Sequence, residues 1–202
     1  MSLEIYFDPS DVKSKFILAT LKYLDIQFEA KEVEVSKGEN ETSEFKAISP
    51  YGKLPALKHG DYTLSRPSAI VKYCINEMGK STDFYPIDDV KTRCTIDSYL
   101  DYDSMDLFTG IKNKIRALNN DLTPSDNEKT IHGNVENFVS ILSQMLEKVP
   151  GKFLFGDHFT LADFAIYFSL EHLMKFTDWK MTEYPGVKTW HSTMEGLDEV
   201  KI

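Results

Sequence analysis

The sequence predicts an α/β front domain with a mixed four-stranded sheet, followed by an all-α C-terminal helical bundle. Three observations support this prediction. The front part shows a βαβ order with a hairpin and a helix behind it, apolar positions from Val90 onward keep only helical spacing, and the segment from Thr160 opens a helix with hardly any polar face. The predicted parts are a front domain at residues 1–82, a linker at 83–89 and an all-helical domain at 90–202.

The first elements are predicted from apolar spacing and turn residues. Leu3 to Phe7 is a short β-rich run that ends at a turn, and two apolar stripes between Val12 and Leu24 suit a helix packed on a sheet. Gln27 to Val35 alternates as a strand does, and the polar stretch from Ser36 to Thr42 reads as a loop.

A hairpin and a helix complete the front domain. Leu54 to Lys58 and Tyr62 to Leu64 flank His59-Gly60-Asp61, and Gly-Asp favours a tight turn. Ser68 to Met78 has helical spacing. The resulting order is that of a thioredoxin-like domain.

Two capping signatures mark helices of the back half. Ser125 with Glu128 forms a candidate capping box before a long amphipathic helix that reaches Val149, and Asn119 to Pro124 reads as the loop before it. In the second signature, Thr160 and Asp163 cap a helix whose entry is fixed by Phe159 and Phe164 at the staple positions; the helix should run through the core.

Charge and cysteine content narrow the function classes. The formal net charge of −9 disfavours nucleic acid and anionic membranes, which select basic surfaces. Cys74 and Cys94 form no CxxC motif, and the five histidines lack metal-ligand spacing, so we expect no metal.

The N-terminus reads as a strand rather than a signal peptide, and no apolar run reaches transmembrane length. We expect a cytoplasmic protein.

Two motifs resemble those of the glutathione transferase superfamily. Gly52-Lys53-Leu54-Pro55-Ala56-Leu57, followed by Ala69-Ile70, is close to the pattern of the family's glutathione-binding domain. Phe155-Gly156 before Thr160-Leu161-Ala162-Asp163 matches the family's folding motif, and the N-terminal register is closest to theta- and delta-like members. The resemblance spans nearly the whole chain.

The resemblance implies a glutathione site built largely from backbone. Pro55 would be cis, and Leu54 would offer its amide and carbonyl to the cysteinyl part of glutathione, a short β-augmentation. Lys53 would meet the glycine carboxylate, although an ordinary exposed lysine is an equal alternative.

The chain departs from the family at the glutamyl anchor. Members usually carry an acidic residue and then serine before the Ala-Ile pair, and here Arg66 and Pro67 stand there. Arg66 cannot accept from the ligand's ammonium, and Pro67 has no donor for its carboxylate. Ser68 could substitute one residue later, and Arg66 could pair the carboxylate bidentately in a changed pose. The alternative is structural: a proline in a first helical turn and a solvated arginine.

A transferase of this type needs a hydroxyl beside the ligand sulfur, because that hydrogen bond lowers the thiol pKa. Tyr6 resembles the residue of the tyrosine-type classes, and Ser10 is next to the position of the serine-type classes, which Asp11 itself holds. Asp11 is a poor substitute because its charge opposes a thiolate. Each candidate has a structural alternative: Tyr6 as a packed strand residue, and Ser10 as the N-cap of the first helix with Asp11 in its first turn.

Two functions follow from the resemblance. The first is a glutathione transferase of detoxification type that attacks small apolar electrophiles, with glutathione as co-substrate. The second is a non-catalytic protein-interaction module of the same fold, as in translation factors and synthetase complexes. A homodimer is expected in both cases.

Overall fold

The computed structural model describes residues 2–80, 82–119 and 128–202, without the side chains of 128–134. The chain divides into two compact units, one formed by Met1–Ser81 with Lys201–Ile202 and the other by Thr82–Val200. None of the described helices is long and apolar enough to span a membrane.

The described residues of the first unit form four strands and three α-helices, which are β1 (Leu3–Phe7), α1 (Val12–Tyr23), β2 (Glu29–Glu32), α2 (Ser43–Ile48), β3 (Ala56–His59), β4 (Tyr62–Ser65) and α3 (Pro67–Glu77). The strands form a mixed sheet in the order β2-β1-β3-β4. Strand β1 pairs in parallel with β2 and antiparallel with β3, which forms a hairpin with β4. The thioredoxin-like fold predicted for this part is therefore confirmed.

Strand β1 has one buried and one partly buried face, and the two faces have different partners. Ile5 pairs with Leu57 across the sheet, and both side chains are fully buried. The next residue, Tyr6, pairs with Ala56 and therefore lies on the opposite face, because side chains alternate along a strand. On that face Phe45 of α2 packs with Val33 and Ala56.

The segment after β2 departs from the prediction. Strand β2 covers only Glu29–Glu32 of the predicted Gln27 to Val35, and the predicted loop contains two short 3-10 turns. Helix α2 then follows, which the sequence pattern did not predict. Its N-cap is Thr42, whose hydroxyl oxygen accepts a hydrogen bond from the Phe45 amide at 3.3 Å.

The second unit is helical, as predicted. A π-helical stretch, Tyr102–Leu107, separates its first two helices, and π-helical turns are uncommon in proteins. The predicted Ser125–Glu128 capping box and most of the loop before it lie outside the described residues. The helices are α4 (Val90–Asp101), α5 (Phe108–Leu118), α6 (Glu128–Lys148), α7 (Leu161–Phe176) and α8 (Pro185–Glu195).

Helix α7 forms the core of this unit. All ten residues from Leu161 to Leu170 are buried, and the predicted capping box is present. The rings of Phe159 and Phe164 stack with centroids 5.5 Å apart, which confirms the hydrophobic staple.

Asp163 connects the capping box to two other parts of the second unit. One carboxylate oxygen, Oδ2, accepts from the amide and hydroxyl of Thr160 at 2.8 and 2.9 Å. The other, Oδ1, accepts from the Leu154 amide and from the indole Nε1 of Trp190, both at 2.9 Å. Complete burial raises the pKa of this carboxyl, and the four donors oppose that shift. The folding motif is thus a polar hub inside an apolar core.

Candidate functional site

The loop before β3 presents an unpaired stretch of backbone. The Leu54–Pro55 peptide bond is cis, as the resemblance implied. Pro55 is buried, Leu54 is half-buried and Lys53 is exposed. Among the described residues, neither the amide nor the carbonyl of Leu54 makes a hydrogen bond. Both groups remain available to a peptide-like ligand.

Two side chains that the sequence analysis did not single out fix this loop. The buried Ser49 hydroxyl donates to the Lys53 carbonyl at 2.8 Å and accepts from the Lys53 amide at 3.3 Å. Asn40 Nδ2 donates to the Gly52 carbonyl at 3.0 Å. Gly52 has a φ of 58°, and a Cβ there would stand 3.0 Å from the Asn40 carbonyl oxygen. The serine four residues before Lys53 was a readable signal, because serine often bonds to nearby backbone.

The N-terminus of α3 carries the altered anchor. Arg66 is the N-cap residue with φ 86° and ψ 123°, and its side chain makes no capping hydrogen bond. Its guanidinium lies over the ring of the exposed Tyr51, with Cζ 5.5 Å from the ring centroid. An arginine at positive φ is unusual and costs backbone energy.

The first turn of α3 leaves donors without partners. Pro67 occupies the first helical position, and the first helical amide bond of this turn runs from Ile70 to the Arg66 carbonyl at 3.0 Å. Among the residues that the structure describes, the amides of Ser68 and Ala69 therefore have no hydrogen-bond partner, as is usual at a helix start. Within the described residues the half-buried Ser68 hydroxyl also has no partner. The donors of this first turn lie where the resemblance places the glutamyl group, and Arg66 is the residue directly before the turn.

Ser10 is not the N-cap of α1, contrary to the sequence prediction. The cap is Asp11, whose Oδ2 accepts from the Ser14 amide at 2.8 Å and from the Ser14 hydroxyl at 2.9 Å. Serine and aspartate are both favourable N-cap residues, so residue type alone could not distinguish Ser10 from Asp11. Burial raises the pKa of the Asp11 carboxyl, and its bonds to Ser14 oppose the shift.

The Ser10 hydroxyl is exposed but engaged with a neighbouring carboxylate. It donates to Asp8 Oδ1 at 2.7 Å, and the Ser10 amide donates to the same oxygen at 2.8 Å. Because both groups lie on the surface, exchanging this hydrogen bond for one to a ligand requires only a hydroxyl rotation.

Tyr6 is held in a different environment. Its hydroxyl donates to Glu4 Oε2 at 2.6 Å, and its ring meets Phe45 edge-on with centroids 6.1 Å apart. Burial, followed by the hydrogen bond to Glu4, raises the pKa of Tyr6 to about 12. A tyrosine whose proton is committed to a carboxylate is poorly suited to stabilise a thiolate. This geometry favours the alternative of a packed strand residue.

The described residues contain no group of three or more His, Cys, Asp or Glu side chains that could hold a metal ion. The candidate site consists of backbone edges, hydroxyls and cations. Those groups suit an anionic peptide.

Comparison with known proteins assigns both parts of the chain to one family. Residues 1–76 match the family model described as the glutathione S-transferase N-terminal domain, and residues 105–202 match the one described as the C-terminal domain. Human glutathione S-transferase theta-1 is 28% identical, with 96% of this chain and 83% of that protein covered. Human glutathione S-transferase theta-2B is 30% identical, with 87% and 72% covered.

The solved structures agree with the sequence relatives. Poplar glutathione transferase F1 superposes with a TM-score of 0.85 at 25% identity, covering 100% of this chain and 95% of that one. An epsilon-class glutathione S-transferase from housefly superposes with a TM-score of 0.84, also at 25% identity, covering 98% and 89%. With both halves of its chain matched and theta-class relatives aligned over most of their length, this protein belongs to the glutathione transferase family.

Proposed function

We propose that this protein is a glutathione transferase that conjugates the glutathione thiolate to small apolar electrophiles. The observation that carries the proposal is the unpaired amide and carbonyl of Leu54 beside a cis proline. A cysteinyl residue can pair with both groups as a short antiparallel strand would. Lys53, exposed next to them, would meet the glycine carboxylate.

The glutamyl end of the ligand is bound differently from the usual pattern. The Arg66 guanidinium, the Ser68 hydroxyl and the free amides of the first turn of α3 all favour a carboxylate, and the helix dipole adds to them. Arg66 keeps its strained backbone at φ 86°. Strain of this kind is common at ligand sites, which supports a binding role for this position.

Ser10 is our proposed sulfur ligand. Its exposed hydroxyl would rotate from Asp8 to the sulfur and donate to the thiolate, which lowers the thiol pKa. The thiol proton would leave to solvent, the sulfur would form a bond to the electrophilic carbon, and the leaving group would depart with its electron pair. Tyr6 is the less suitable candidate because its proton is donated to Glu4.

The second candidate function is a non-catalytic interaction module of the same fold. Two observations favour it. Arg66-Pro67 replaces the usual anchor, and the hydroxyls of Tyr6 and Ser10 both donate hydrogen bonds to carboxylates rather than standing free for a ligand sulfur. In either case we propose a cytoplasmic homodimer.

Retention on immobilised glutathione, followed by a chlorodinitrobenzene assay, separates the two functions. The transferase proposal expects elution by free glutathione and measurable turnover. Folded protein that is neither retained nor active at millimolar glutathione would refute it and leave the interaction module. Sedimentation at micromolar concentration tests the dimer independently, since a monomer alone would contradict it.

A further inference from the structure

A concave surface lies on the α2 face of the sheet in the first unit, apart from the residues of the candidate glutathione site. It has a volume of about 450 Å³. Its apolar floor is formed by Val33, Phe45 and Ile48, with the ring of Tyr6 beside them. Three glutamates, Glu32, Glu39 and Glu44, and one lysine, Lys31, line the same groove. We call this surface the β2 groove.

Negative charges outnumber positive charges around the β2 groove. Residues 29–48 contain six glutamates and three lysines. Each lysine is in an ion pair with a glutamate that does not line the groove. The pairs are Lys31 with Glu29, Lys37 with Glu34 at 2.7 Å, and Lys46 with Glu41 at 2.7 Å.

The three glutamates left over are those that line the groove. In the part of the chain that the structure describes, the Glu39 carboxylate has one hydrogen bond, which Oε2 accepts from the Glu34 amide at 2.7 Å. Among the described residues, the carboxylates of Glu32 and Glu44 make neither a hydrogen bond nor an ion pair. The groove therefore combines an apolar floor with an excess of negative charge, because its three glutamates face one lysine, Lys31, whose charge is already paired with Glu29.

The groove also borders a free edge of the sheet. Strand β2 is the outermost strand and pairs only with β1, in parallel. The Val33 amide donates to the Phe7 carbonyl at 2.9 Å, which sets the alternation of inward and outward groups. It follows that the amides and carbonyls of Ala30 and Glu32 point away from the sheet, and both residues are exposed. An added strand would find partners there.

We propose that the β2 groove binds an extended, lysine- or arginine-rich segment of a partner protein. The segment would pair with β2 as a fifth strand and place one apolar side chain on the floor near Phe45. Charge complementarity selects this occupant, because its cations would neutralise Glu39 and Glu44 beside the floor and Glu32 on the other face of the edge strand. A second copy of this chain is disfavoured, since the chain carries a net charge of −9. The proposal does not depend on glutathione binding.

Binding of a labelled peptide of alternating lysine and leucine tests the charge component by fluorescence anisotropy. Replacing two glutamates that line the groove, Glu32→Lys with Glu44→Lys, should weaken peptide binding about tenfold or more, because two attractions to the peptide's lysines become repulsions. The matched control, Asp157→Lys with Asp178→Lys, changes two exposed carboxylates of the second unit by the same charge. Its affinity should stay within about twofold. Equal weakening by both variants would mean nonspecific attraction and overturn the proposal.

Two further readouts test the strand and the anchor. A peptide with proline in place of alternate leucines lacks the amide donors at those positions, so it should bind about tenfold more weakly at unchanged charge. Amide NMR shifts caused by the unmodified peptide should centre on residues 29–33 and 42–48. Equal affinity for the proline peptide, shifts confined to other surfaces, or self-association in place of peptide binding would each refute the proposed occupant.

Discussion

Glutathione analogues that lack one group of the glutamyl end test the altered anchor at Arg66 and Ser68 most specifically. Around Arg66 and Ser68 the site offers a guanidinium, a hydroxyl and amides, all of which can donate to a carboxylate and none of which carries a negative charge for an ammonium. A glutathione analogue without its α-amino group should therefore bind within about twofold of glutathione. An analogue without its α-carboxyl group should lose one or more charge-assisted hydrogen bonds, each worth about 1.5–3 kcal/mol, or about 10–100-fold in affinity.

Substitution of the anchor residues shows which side chain binds the α-carboxyl group. Arg66→Ala should weaken glutathione by a similar factor but leave the analogue without the carboxyl unchanged, which is a coupling measured by a double-mutant cycle. Tyr51→Ala removes the ring 5.5 Å below the guanidinium. A cation–π contact at an exposed site is worth about 0.5–1 kcal/mol, so affinity should fall about two- to fivefold. The control is Arg116→Ala, at an exposed arginine of α5.

Isothermal titration of the three ligands against these variants provides the measurement. A tenfold loss on removal of the amino group would show that the site holds an acceptor for the ammonium, and the proposed carboxylate anchor would then be wrong. Unchanged glutathione affinity in Arg66→Ala would equally remove Arg66 from the site, and a loss in Arg116→Ala would reveal a general charge effect.

Three further predictions concern the hydroxyls and the core. Ser10→Ala should lower kcat with chlorodinitrobenzene about tenfold or more, whereas Tyr6→Phe should change it less than about twofold; the reverse ranking would restore Tyr6 as the sulfur ligand. The burial-raised pKa of Tyr6, about 12, predicts that the stability its neutral phenol contributes is complete below about pH 10 and is lost as pH rises through about 12. Ultraviolet titration should show one late-ionising tyrosine fewer in Tyr6→Phe. Asp163→Asn turns an acceptor into a donor facing buried donors, so urea unfolding should show a loss of about 2–4 kcal/mol; a loss below about 0.5 kcal/mol would contradict the hub.

Local chemistry explains what the sequence predicted well. The hairpin depended on Gly60, which adopts φ 62°, and the α7 cap depended on Thr160 and Asp163 at fixed spacing. These signals lie within a few residues and need no tertiary information. The cis bond before Pro55 came from the resemblance to the family rather than from spacing.

Features that depend on partners or on marginal elements were not predicted. Helix α2 has six residues, too few to be stable alone, and forms because Phe45 packs on the sheet. The α1 cap could not be located by residue type, since Ser10 and Asp11 both suit it. The engagement of Tyr6 was partly readable, because Glu4 lies two residues earlier on the same face of the strand.

The most direct test of the proposed glutathione site is an amide NMR titration of the protein with glutathione. If glutathione binds there, saturable shifts should appear at the Leu54 amide and at the Ser68 and Ala69 amides, with a dissociation constant at or below roughly 1 mM. Hydrogen exchange at Leu54 should be slower in the complex. Absence of shifts at these amides at roughly 10 mM glutathione would refute the proposed site.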